Sequence, residues 1–156
     1  MQYSILILFL LPISFIDLDC KLILNALTLP GMIVGLALSL FLNSTTIPQA
    51  VAGLLLGGGF LWLVGFLGKF IFKKDSMGAG DVKLAAMIGA FMGPQVVIVL
   101  FLAFFLAMPV VAIGLSSGRL QLGSTLPFGP FISLGAVVMI CFGQQLLDIY
   151  LNFLGS

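Results

Sequence analysis

All the acid chemistry open to this chain rests on five side chains, Asp17, Asp19, Asp75, Asp81 and Asp148, because its 156 residues include no Glu and no His. Without His there is no Ser-His-Asp or Cys-His nucleophile and no HExxH zinc site. Cys20 and Cys141 are the only cysteines and form no CxxC pair, so neither a zinc site nor a redox motif is spelled out. What remains is carboxylate chemistry. Two carboxylates a few ångströms apart cannot both ionise easily and tend to share one proton. The ionised member can then take a proton from water while the protonated one polarises a peptide carbonyl, which is how an aspartic protease divides its work. Such a site needs no nucleophilic side chain, metal or cofactor.

Position separates the five acids. Asp17 follows 16 mostly apolar residues, about 24 Å at helical rise, and so falls in the last turns of a first membrane helix. Asp81 opens a later apolar helix on the same face. Two carboxylates remote in sequence therefore arrive at the same membrane depth, where ionisable groups are functional candidates by default. Residues two apart on a helix point about 200° apart, so only one of Asp17 and Asp19 can face Asp81. Asp75 sits beside Lys73 and Lys74 in a polar loop and reads as solvated; Asp148 falls near the opposite face and reads as interfacial. Around the second acid, Gly78 and Gly80 permit a backbone excursion that brings Asp81 against another helix or an extended chain. Lys83, two residues on, can favour the ionised form of a neighbouring acid. The bland alternative is that Asp17 and Asp81 are separate interfacial charges.

The elements that must carry these residues are membrane helices. Hydrophobic residues make up 62% of the chain, mean hydropathy is +1.32 and only 7% of residues are charged, against about 25% in soluble domains. A net charge of +1 offers no clustered basic face for nucleic acid. The expected fold is all-α: a single transmembrane domain over residues 1–156 with about six spans, at 1–20, 26–43, 49–71, 78–93, 95–115 and 126–154. Polar or helix-breaking runs such as NSTTIPQ and SSGRLQLGSTLP separate them. The fourth span is the shortest, because Asp81 to Gly93 covers only about 20 Å. The first, which has no basic residue ahead of it and no small-residue cleavage site, reads as a retained span rather than a signal peptide. Lys21, Lys69, Lys73, Lys74, Lys83 and Arg119 all fall on one side of this arrangement. The positive-inside rule makes that side cytoplasmic and places both termini outside. Removing the fourth span would send Arg119 to the other side.

Three blocks resemble the prepilin peptidases, membrane aspartic proteases of the GxGD type. Ile16-Asp17-Leu18-Asp19, running on through Asn25 to Leu27-Thr28-Leu29-Pro30, is similar to that family's first catalytic-aspartate segment. Asp75 to Gly93, with Met77-Gly78-Ala79-Gly80-Asp81-Val82-Lys83-Leu84 at its heart, is similar to its second and is the most specific of the three. Pro127-Phe128-Gly129-Pro130-Phe131 resembles the element that opens its last helix. The resemblance implies that Asp17 and Asp81 are the catalytic pair and that Gly78 and Gly80 shape the turn of the second. Lys83 and Asp75 match the family's characteristic lysine and acidic residue, with no role assigned. It implies a multi-pass protein of the cytoplasmic membrane, in contact with lipid, that cleaves basic leaders next to a glycine. The substrates would be type IV prepilins and pseudopilins, whose leaders precede an apolar helix, and cleavage would fall at the cytoplasmic face.

The chain departs from the family in two respects. Leu24 stands where the family usually has Pro, and the cysteine-rich loop of bifunctional members has no counterpart, so methyltransferase activity is not implied. From other classes, a small transporter or channel subunit using the two aspartates as an ion relay would fit the composition, although no internal repeat supports it. A scaffold of membrane helices is the third reading.

Overall fold

A computed structural model of the chain describes residues 2–20, 23, 25–41, 45–72, 78–118 and 128–154, with side chains except at 20, 71, 72, 115, 144 and 146–154. Lys21, Leu24, Lys73, Lys74, Asp75, Met77, Arg119 and Pro127 lie outside the described residues, as does the side chain of Asp148. The described residues form α1 (Gln2–Cys20), α2 (Asn25–Phe41), α3 (Ile47–Phe72), α4 (Ala79–Met92), α5 (Val96–Ser116) and α6 (Gly129–Leu154), with a short 3-10 turn at Gly93–Gln95 between α4 and α5. No strand occurs among them.

Long apolar runs become helices because a bilayer leaves no water to satisfy backbone polar groups. Three stretches, Gln2–Asp19, Ile47–Phe70 and Ala79–Gly114, are long and apolar enough to cross a membrane; Asn25–Phe41 and Gly129–Gly143 are shorter apolar helices. Phe41, Phe70, Phe105 and Met108 are among many large apolar side chains that point outward. That surface belongs in lipid rather than water.

α4 is the core. Every residue from Leu84 to Gly93 is buried, Phe91 and Met87 included. The shortest expected span is thus the one enclosed by the others, and an enclosed helix need not match the bilayer thickness by itself. Its most extensive interface is with α3, where small residues allow backbone contact. A Cβ added at Gly53 would overlap the Gly89 carbonyl, one at Gly89 would overlap the Gly53 carbonyl, and one at Gly57 would overlap that of Ala85. These pairings run antiparallel. On the α2 side Gly31 receives Met87 and Gly35 receives Phe91.

The apolar stretch Ala79–Gly114 is broken at Gly93, whose φ of 64° is a left-handed value that disfavours any side chain with a Cβ. The chain then reverses. Val96 returns to the same Gly57 that faces Ala85, and the Phe101 ring lies 6.2 Å from Phe60. α6 packs on α5 through Gly135, which meets the Val99 carbonyl and Ala103, and on α1. α1 runs antiparallel to α4: at one end Gln2 Nε2 donates to the Phe91 carbonyl at 2.7 Å, joined there by Thr45 Oγ1 at 3.2 Å. The other end of the same pair of helices carries Asp17 and Asp81.

Candidate active site

Asp17 lies one turn before the end of α1, and Asp81 lies in the first turn of α4. Both are buried, with 4% and 9% of their surfaces exposed, and both line one cavity of about 290 Å³. Asp19 is exposed, as the 200° offset between the two requires. Asp75 falls outside the described residues, so its place relative to the cavity is not defined. Among the described residues no three Asp or Cys side chains cluster as a metal site would require.

Each carboxylate is met by a helix N-terminus. The Gly129 N–H, at the start of α6, donates to Asp17 Oδ2 at 3.0 Å. A Cβ on Gly129 would overlap that carboxylate, so the close approach depends on glycine. Asp81 sits at the positive end of the α4 dipole; its own N–H donates to the Gly78 carbonyl at 3.1 Å, and its Oδ2 faces Gly78. Helix N-termini favour negative charge by about 0.3–1 kcal/mol each, and by up to about 2 in sheltered geometry. The two dipoles thus act on the two carboxylates that line one cavity.

The glycines act differently from the sequence-based expectation. Gly78 has φ −68° and ψ 134°, an extended conformation open to any residue, and Gly80 lies within α4. The requirement is space rather than a special backbone angle: a Cβ on Gly80 would come within 2.7 Å of the Ile23 Cβ. Ile23, buried between α1 and α2, thus sets how closely the GxGD segment approaches the first helices. Lys83 also differs from expectation. Its Nζ donates to Asn25 Oδ1 at 2.7 Å, so its recorded partner is an amide on α2 rather than either aspartate. Both Lys83 and Asn25 line the cavity.

Asn25, Ile23 and Gly129 join the site through contacts that composition and depth do not reveal. Asn25 and Gly129 sit inside the family-like blocks, and that was the only signal pointing to them. The pairing of Gly129 with Asp17 spans 112 positions of sequence, beyond the reach of any local pattern.

Comparison with known proteins gives a consistent picture. The sequence profile of the Type IV leader peptidase family matches residues 4–113, a stretch that includes both aspartates but ends before Gly129. A prepilin leader peptidase/N-methyltransferase of Stutzerimonas stutzeri is 33% identical over 145 residues, 92% of this chain and 50% of that protein. Proteins of the same name from Pseudomonas aeruginosa and Xanthomonas campestris are 33% and 35% identical, each over 94% of this chain and 51% and 52% of their own lengths. The chain thus spans about half the length of these relatives. No solved structure matches it.

Proposed function

The chain belongs to the type IV leader peptidase family, and from that premise we propose that it is a membrane aspartic endopeptidase with Asp17 and Asp81 as its catalytic pair. The observation that carries this reading is that these two acids, 64 positions apart (81 − 17), line one sheltered cavity at the same end of the bundle. Together they share one proton. The ionised carboxylate takes a proton from the attacking water, and the protonated one gives its proton to the scissile carbonyl oxygen as the tetrahedral intermediate forms. Collapse of that intermediate breaks the C–N bond: the first carboxyl gives its proton to the leaving amine while the second carboxylate takes one back from a gem-diol hydroxyl, leaving a carboxylic acid and the pair again sharing one proton.

The supporting residues have physical roles in this reading. Gly80 lets α4 approach Ile23, Gly78 leaves Asp81 unobstructed, and Lys83 places a cation at the cavity wall, tethered by Asn25. Asp75, three positions before Gly78 in the sequence, is a further supporting acid.

The substrate class is a type IV prepilin-like protein, with a basic leader followed by an apolar helix. The one-sided distribution of Lys and Arg supports six crossings, both termini outside and the aspartates at the cytoplasmic face of the cytoplasmic membrane. Residues 1–156 would then act as one transmembrane peptidase domain. Methyl transfer is not part of the proposal.

The test is a cleavage assay with purified protein in lipid vesicles and a prepilin-like peptide. Wild type is expected to release the leader, while Asp17→Asn and Asp81→Asn insert normally and do not. Retained cleavage in either variant sinks the pair, and ion flux without proteolysis would favour a relay.

A further inference from the structure

A second cavity, of about 260 Å³ and almost wholly apolar, lies between α1 and α6. It begins at Leu18 and Pro130, the immediate neighbours of Asp17 and Gly129, and reaches Ile7 and Val137. Those ends are about 16 Å apart along α1. Leu11 and Leu134, on its two walls, are each more than half exposed, so the groove opens toward the lipid. One polar feature stands out in it. Ser133, on α6, lines the groove, is only 5% exposed, and its Oγ has no hydrogen-bond partner.

We infer that this groove seats the apolar segment of the substrate that follows the scissile bond, and that Ser133 hydrogen-bonds the backbone of that segment. The inference rests on the peptidase reading above and names where its substrate lies. Continuity is the first argument: the groove begins at Leu18 and Pro130, which directly follow Asp17 and Gly129 in the chain, so it starts at the level of the Asp17 carboxylate. The orphan hydroxyl is the second. A buried hydroxyl is costly to leave unpaired, and a lipid acyl chain in the groove would offer it nothing. A peptide does. At the scissile bond the substrate must be extended to expose its carbonyl, and the helix that follows begins with unpaired N–H groups. Ser133 stands four residues from Gly129, about 6 Å along α6, level with that junction. A hydroxyl both donates and accepts, so rotation about its Cα–Cβ bond satisfies either kind of backbone group.

The experiment uses full-length protein in phosphatidylcholine vesicles and a synthetic peptide with a basic leader, a glycine at the cleavage point and an apolar segment of about 20 residues. Leu11→Trp and Leu134→Trp fill the groove from opposite walls and should each raise KM at least about tenfold with kcat within about twofold. Ile113→Trp, on the outward face of α5, should change neither. Ser133→Ala should raise KM about fivefold while leaving the melting temperature of the free protein equal or higher, because it removes an unpaired buried hydroxyl. A merely structural serine would lower the melting temperature and leave KM alone. Wild-type KM in the tryptophan variants, as expected if the groove holds only lipid, overturns the assignment while the peptidase reading stands. If neither tryptophan variant inserts, KM of Ser133→Ala decides alone. Absence of cleavage by the wild type overturns the peptidase reading and the groove assignment with it.

Discussion

The Gly129 N–H donates to Asp17 Oδ2 at 3.0 Å, joining the start of α6 to the end of α1. One residue of this pair is a candidate catalytic group; the other has no side chain at all. The bond aligns the carboxylate and brings a helix dipole to bear on it, and it needs a residue without a Cβ because a Cβ would occupy the carboxylate's place.

Gly129→Ala should therefore act like a loss of Asp17. Leader cleavage is expected to fall at least about a hundredfold, equivalent to about 2.7 kcal/mol of transition-state stabilisation. Insertion into vesicles should be unchanged. Cleavage within a few-fold of wild type would show that the contact is dispensable.

The two glycines before Asp81 should separate in a stability measurement. Gly80→Ala drives a Cβ to within 2.7 Å of the Ile23 Cβ, and overpacking of that kind costs about 1–3 kcal/mol. Gly78→Ala meets nothing closer than Asp81 Oδ2, at 3.4 Å, and should cost less. The double variant Gly80→Ala/Ile23→Ala should recover part of the loss. Thermal unfolding in detergent reads the cycle, and strict additivity would contradict the contact.

Lys83 and Asn25 should behave as one unit. With Nζ and Oδ1 2.7 Å apart, Asn25→Ala frees the ammonium and Lys83→Met removes it. Each is expected to lower kcat/KM about tenfold, and the double variant no further than the worse single one. Independent, multiplying effects would separate their roles.

The α3–α4 seam should be the least forgiving part of the bundle. Gly89→Ala sets a Cβ against the Gly53 carbonyl and forces two backbones apart. Destabilisation of about 3 kcal/mol is expected, at the upper end for overpacking. Gly59→Ala, on α3 with nothing within 4 Å of the added Cβ, should unfold no earlier than wild type.

Asp19→Asn should keep most activity, because Asp19 is exposed while Asp17 is buried. A dead Asp19 variant beside an active Asp17 variant would reverse the assignment.

The six helices were legible because apolar runs and their polar interruptions mark the chain every 20 residues or so. The observed helix bounds fall within about three residues of the expected spans. The candidate acids were legible for a different reason: so few ionisable residues exist that depth alone sorts them. Hydropathy carries no information about which helix lies in the middle, however. The clue to the place of α4 was size rather than polarity, in Gly53, Gly57 and Gly89, whose backbones meet or approach those of their partners. The Asp17–Gly129 and Lys83–Asn25 bonds were hidden because they join separate helices, and a single sequence does not show which faces meet. Steric room and backbone freedom call for the same amino acid, so sequence alone does not separate these two roles at Gly80.

The bond between α1 and α6 also has a consequence for biosynthesis. Helices emerge from the ribosome in order, so the carboxylate on α1 is made among the first parts of this stretch of chain and its backbone donor among the last. Until α6 docks, Asp17 lacks its Gly129 donor and the groove beside it has only its α1 wall. A nascent chain carrying α1 to α5 thus already holds both candidate acids and the residues that line their cavity, yet lacks the backbone donor that aligns Asp17. The order of translation thus makes the Asp17–Gly129 bond one of the last contacts in this stretch of chain to form.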